Sequence, residues 1–69
     1  MRICIIGIGL IGGSLAIDLR KRDFASYIIG VDNNSKHVDL ALKLGLVDEI
    51  LSINEAIKRS DLIILAGRP

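Results

Sequence analysis

Ile3-Cys4-Ile5-Ile6-Gly7-Ile8-Gly9-Leu10-Ile11-Gly12-Gly13-Ser14 is the stretch on which the fold turns. Its first half is a short, unbroken apolar run stopped by Gly7. That length, β-branching and glycine stop predict a strand over Arg2 to Ile6, buried on both faces. From Ile11 to Arg22 the apolar residues recur at helical spacing, at Ile11, Leu15 and Leu19 with Ala16 alongside. Between strand and helix lies Gly7-Ile8-Gly9-Leu10-Ile11-Gly12, a G-x-G-x-x-G turn in the context that gives the pattern meaning.

Beyond this helix, Asp23 to Ser26 form a polar turn and Tyr27 to Val31 a second strand, ended by Asp32. Asn33, Asn34 and Ser35 are good helix caps, and a helix over Ser35 to Leu44 follows, apolar at Val38, Ala41 and Leu42. Gly45 is its natural stop. Glu49 to Leu51 reads as a short third strand. Ser52 and Glu55 have capping-box spacing, placing a helix over Ile53 to Arg59. Leu62 to Ala66 is the fourth strand, and Gly67-Arg68-Pro69 a tail. Asp18 and Arg22, and Asp39 and Lys43, are spaced to pair across one helical turn. The order β-α-β-α-β-α-β predicts an α/β domain with a parallel sheet.

Size and composition narrow the function. The 69 residues hold one small domain, and 51% hydrophobic against 25% charged residues argues against disorder. Net charge is +1, and Phe24 and Tyr27 are the only aromatics. Neither an electrostatic field nor a stacking platform for nucleic acid is expected. No apolar run reaches the roughly 18 residues that span a bilayer, and no secretory leader pattern opens the chain. Cys4 is the single cysteine, so no internal disulfide or cysteine zinc site is expected, and a cytoplasmic setting follows. The carboxylates show no metal-ligand spacing.

The glycine turn carries the chemistry. Gly7 permits a tight exit from the strand, Gly9 lets a pyrophosphate approach the backbone, and Gly12 lets helix and strand pack closely. The helix N-terminus then faces the phosphates. Asp32, twenty residues after Gly12, stands where a carboxylate accepts hydrogen bonds from an adenosine ribose. Its charge would repel a 2′-phosphate, and no Arg or Lys follows directly, which favours NAD over NADP. The same glycines would suit a turn without a ligand, and Asp32 a helix cap; strand, helix and acid together favour the dinucleotide. Ser14 is left open between a phosphate contact and simple packing. His37 reads as a solvated helix residue, Cys4 as a small core residue, and Arg20, Lys21 and Arg22 as a solvated helix end.

The run Ile3 to Ala16, with its Gly9-Leu10-Ile11-Gly12-Gly13-Ser14-Leu15-Ala16 form, resembles the N-terminus of prephenate dehydrogenases. Ile29-Gly30-Val31-Asp32, Ala41 to Asp48 and Ala56 to Ala66 agree with the same family. The resemblance implies a Rossmann-type sheet, with four strands in the order 3-2-1-4. Residues 1–69 would form the N-terminal part of an NAD(P)-binding domain; the rest of that domain and a C-terminal helical domain lie beyond it. It implies oxidative decarboxylation of prephenate to 4-hydroxyphenylpyruvate with NAD, on the route to tyrosine, or the arogenate counterpart. Gly7, Gly9, Leu10, Ile11 and Gly12 match the family's pyrophosphate loop, Asp32 its ribose-binding acid, and Asn33 lies beside the adenosine. The chain departs from the family where Gly67-Arg68-Pro69 replaces a Thr-Pro turn. The family's catalytic histidine and substrate-binding residues fall past this point. The chain is therefore expected to be a fragment without turnover of its own, self-associating through its exposed fourth strand. Other dehydrogenases on a similar fold and a non-catalytic dinucleotide-binding module are the alternatives; the Gly12-Gly13-Ser14 run argues against the former.

Overall fold

A computed structural model of the chain describes residues 1–66. Its elements are β1 (Arg2–Ile6), α1 (Leu10–Lys21), β2 (Tyr27–Val31), α2 (Ser35–Lys43), β3 (Glu49–Ile50), α3 (Ile53–Arg59) and β4 (Leu62–Leu65). The four strands form one sheet in the order β3-β2-β1-β4, every pair parallel. The expected α/β class and strand order are therefore observed. The tail at residues 67–69 lies outside the described residues.

The centre of the sheet is the most apolar part of the sequence. Ile3, Cys4, Ile5, Ile28 and Ile29 are fully buried. Alternation sends them to opposite faces. Ile3, Ile5 and Ile28 pack with Ala16 of α1 and Ala41 of α2. Cys4 and Ile29 pack with Ala56 of α3. Two helices thus cover one face and the short third helix the other.

The helices meet the sheet through small residues more than through large ones. In α1 the buried positions are Gly12, Gly13 and Ala16. Ile11, expected in the inward stripe, is 69% exposed. Gly12 lets the helix approach so closely that the contact line runs along the glycines, and Ile11 is turned toward the open end of the sheet. Leu42 of α2 is likewise exposed, and Val38 and Ala41 face inward instead.

Boundaries shift for local reasons. Gly9 takes the N-cap position of α1, so the helix starts one residue early. At its other end Phe24 N–H donates to Leu19 O and Asp23 N–H to Arg20 O, with Asp23 at φ 57°. That is a Schellman closure with Asp in the left-handed position. The end of α2 has the same pattern, from Leu46 to Ala41 and Gly45 to Leu42, with Gly45 in that position.

Charges at the rim tie elements together. Asp18 and Arg22 pair at 3.2 Å as expected. No ion pair joins Asp39 and Lys43 among the described residues. Arg20 is not simply solvated: its Nη2 donates to Asp48 Oδ2 at 2.9 Å, and that oxygen also accepts from Ile28 N–H at 2.7 Å. Burial pushes the Cys4 thiol up, with Ser60 partly opposing, which suits an inert core residue.

Candidate functional site

The site forms where β1, β2 and β4 end together. Gly7 leaves β1 at φ 90°, a backbone conformation open to glycine and strained for other residues. Its N–H donates to Val31 O at 2.8 Å, fastening the turn to the end of β2. On the other side Ala66 N–H donates to Ile6 O at 2.9 Å. A Cβ on Gly12 would lie 2.1 Å from Gly7 O, so the helix opens directly against the turn only because Gly12 has no side chain.

The three helix starts differ in a way that matters. Asn34 caps α2, its side chain accepting from Lys36 N–H at 2.9 Å and His37 N–H at 3.3 Å. Ser52 caps α3 by accepting from Glu55 N–H at 3.4 Å. Gly9 caps α1 with no side chain, and no acidic residue stands in the first turn. The leading amides of α1 therefore keep their hydrogen-bonding capacity and the positive end of the helix dipole.

Beside them stands Asp32, its side chain only 9% exposed. Its Oδ1 accepts from Asn34 N–H at 2.8 Å. Its Oδ2 accepts from Ile8 N–H at 3.0 Å and faces His37 Nδ1 at 3.0 Å. Burial pushes the carboxyl up, but the hydrogen bonds from Asn34, His37 and Ile8 outweigh it and hold the group below its ordinary value. Asp32 is thus ionised at neutral pH. It is not the cap of α2, a place Asn34 fills.

The glycine turn, the start of α1 and Asp32 border one cleft of about 490 Å³. Gly7, Gly9, Leu10, Ile11, Gly12, Asp32 and Asn33, each expected from the sequence, line it together. Asn34, His37 and Ala66 complete the lining. Ser14 does not border it; that residue lines an apolar groove between α1 and α2. His37 was legible only as a helix residue. The signal was its place in the first turn of α2, where side chains lean back toward the helix start and so overhang Asp32. Among the described residues no group of three His, Cys, Asp or Glu could hold a metal ion. No helix of the described chain is long and apolar enough to cross a membrane.

A bare helix end above a glycine turn, with an acid at the tip of the next strand, in a 3-2-1-4 parallel sheet, defines a Rossmann-type nucleotide-binding fold. Residues 15–68 match the family of the prephenate dehydrogenase nucleotide-binding domain, and the chain belongs to it. It is 37% identical over 65 residues to the prephenate dehydrogenase of Bacillus subtilis (strain 168), covering 93% of this chain and 18% of that protein. It superposes with a TM-score of 0.82 at 31% identity on prephenate dehydrogenase from A. aeolicus, solved with hydroxyphenyl propionate and NAD+. The Synechocystis arogenate dehydrogenase aligns with a TM-score of 0.78 at 38% identity. In both structures the match covers 94% of this chain and 23% of the other. The chain thus spans less than a quarter of the length of these relatives.

Proposed function

We propose that residues 1–69 are the N-terminal part of the NAD-binding domain of a prephenate dehydrogenase. The observation that carries this is the gathering of the open α1 start, Gly9 and Asp32 in one cleft. NAD fits the residues present. The α1 amides and dipole suit a pyrophosphate, and Gly9 leaves the backbone open to close approach. The Asp32 carboxylate suits a ribose hydroxyl, and its charge supports NAD over NADP. Leu10 and Ile11, exposed at the mouth, offer apolar cover, and Asn33 borders the adenosine side.

When bound, NAD supplies a hydride acceptor for the oxidative decarboxylation of prephenate to 4-hydroxyphenylpyruvate. This chain's share is to hold and orient the dinucleotide; no residue of the cleft is assigned to proton transfer on the substrate. Substrate recognition, catalytic groups and a helical domain belong to the remainder of the enzyme, and the chain by itself turns nothing over. The 38% identity to an arogenate dehydrogenase supports arogenate as the second reading of the substrate. The reading includes a cytoplasmic setting, supported by the buried free Cys4. It also includes self-association of the isolated chain, supported by exposed Ile63 and Leu65 on β4.

Titration of the chain with NADH, followed by cofactor fluorescence, tests the dinucleotide assignment; the sequence has no Trp to interfere. Binding is expected, and NADPH should bind more weakly. Gly9→Ala should fold normally, because the added Cβ meets only the His37 ring at 3.3 Å, yet bind NADH at least about tenfold more weakly. Asp32→Ala should lose roughly tenfold or more, the worth of a hydrogen bond to a charged group. Unchanged affinity in both variants, each checked for native circular dichroism, would remove the assignment.

A further inference from the structure

The hydrogen-bond count at Asp32 points to a role for His37. A carboxylate has about four acceptor positions, two on each oxygen. Both positions on Oδ2 are taken, by Ile8 N–H and by the His37 ring. One on Oδ1 is taken, by Asn34 N–H. An ionised carboxylate only accepts, so His37 Nδ1 carries the proton of that contact. One acceptor position is left.

A ribose 2′,3′-diol brings two hydroxyl donors and needs two positions. Two of the present partners are backbone amides of anchored residues. Ile8 follows Gly7, whose own N–H is tied to Val31 O. Asn34 caps α2, its side chain accepting from Lys36 N–H and His37 N–H and its carbonyl from Val38 N–H, so its backbone is anchored to the start of that helix. His37 is held only by its ring contact, its side chain is 44% exposed, and side-chain rotation alone can release it. Its ring also stands against Gly9, 3.3 Å from the place of an added Cβ, between the acid and the start of α1.

We propose that His37 is a displaceable occupant of the nucleotide site, which holds Asp32 in the arrangement seen here and yields its place on Oδ2 to a ribose hydroxyl. This rests on the reading of the cleft as a dinucleotide site. His37 is then a positioning residue that sets both affinity and the value of the second hydroxyl. In the wild-type chain the diol gains one hydrogen bond and exchanges another. Without the His37 ring it gains two. An analogue with a single ribose hydroxyl uses the free position and leaves His37 undisturbed.

The test titrates NADH, and NADH lacking the 2′-hydroxyl of its adenosine ribose, into the 69-residue chain, its His37→Ala variant and its His37→Phe variant. The phenyl ring keeps bulk without a donor. The deoxy analogue should bind the wild type and His37→Ala equally. NADH should bind His37→Ala about five- to tenfold more tightly than the wild type. The penalty for losing the 2′-hydroxyl should be at most about threefold in the wild type and about tenfold or more in both variants. Equal NADH affinity and equal penalties in all three chains would overturn the proposal and leave the dinucleotide reading standing. Weaker NADH binding by His37→Ala would also overturn it, making His37 a direct ligand contact. Absence of binding by every chain would remove the dinucleotide reading and this proposal with it.

Discussion

Asp32 does structural work as well as offering an acceptor. Its two oxygens join the β1–α1 turn, through Ile8, to the start of α2, through Asn34. Because the folded carboxyl is held below its ordinary value, the ionised form stabilises the fold. That contribution is present above the unfolded value of about 4 and is lost as pH falls through the lower folded value. Asp61, held down by the Arg2 amide, acts in the same direction. Urea midpoints measured from pH 6 to pH 3 should therefore fall, and Asp32→Asn should flatten that decline in part, with Asp61 supplying the remainder. A variant with the full wild-type acid slope would show that the Asp32 bonds carry no stability. Residue identity made Asp32 easy to find, since acids at strand ends twenty residues past a glycine turn are few. It hid His37, because the proximity of that ring to Asp32 comes from the backward lean of side chains in α2.

At the level of elements, the sequence revealed the strands better than the helix faces. β1, β2 and β4 are short β-branched runs with abrupt ends, and their observed bounds fall within a residue of expectation. The inward side of α1 departs from the apolar spacing at Ile11, because that spacing weighs large apolar residues while this helix packs through Gly12, Gly13 and Ala16. Close approach of two backbones leaves its mark as missing side chains, which periodicity does not weigh. The helix ends carry their own energetics. Asp23 holds a left-handed conformation at the close of α1, a place Gly45 fills after α2. Asp tolerates it better than most residues but at a cost. Asp23→Gly should raise stability by about 0.5–1 kcal/mol, read as a higher urea midpoint at unchanged slope. A lower midpoint would mean that the Asp23 side chain contributes more than its backbone strain removes.

For the molecule as a whole, the two faces of the sheet are unequally dressed. The face under α1 and α2 holds the larger apolar cluster, and the α3 face the smaller. On β4, Ile63 is 40% exposed and Leu65 77% exposed, on a strand paired only with β1 among the described residues. An uncharged edge with exposed apolar side chains favours association. Light scattering across a concentration series should give a mass above that of the monomer, and Leu65→Lys should shift it toward the monomer. A monodisperse wild-type monomer at high concentration would count against the edge. Sheet order and strand direction were legible because alternating helices and strands admit few arrangements.

β1 lies inside the sheet yet is synthesised before both of its partners, β2 and β4. Arg2 pairs with Tyr27, and Ile3 with Leu62, so its partners arrive well after it. Ile3, Cys4 and Ile5, which end with no exposure at all, must wait uncovered until the residues of β2 and then of β4 have been made. Such non-local pairing slows folding and lengthens the interval in which a bare apolar strand can be captured by the wrong neighbour. A strand whose centre is fully buried in the sheet is thus a bare apolar segment of the nascent chain until its partners are made.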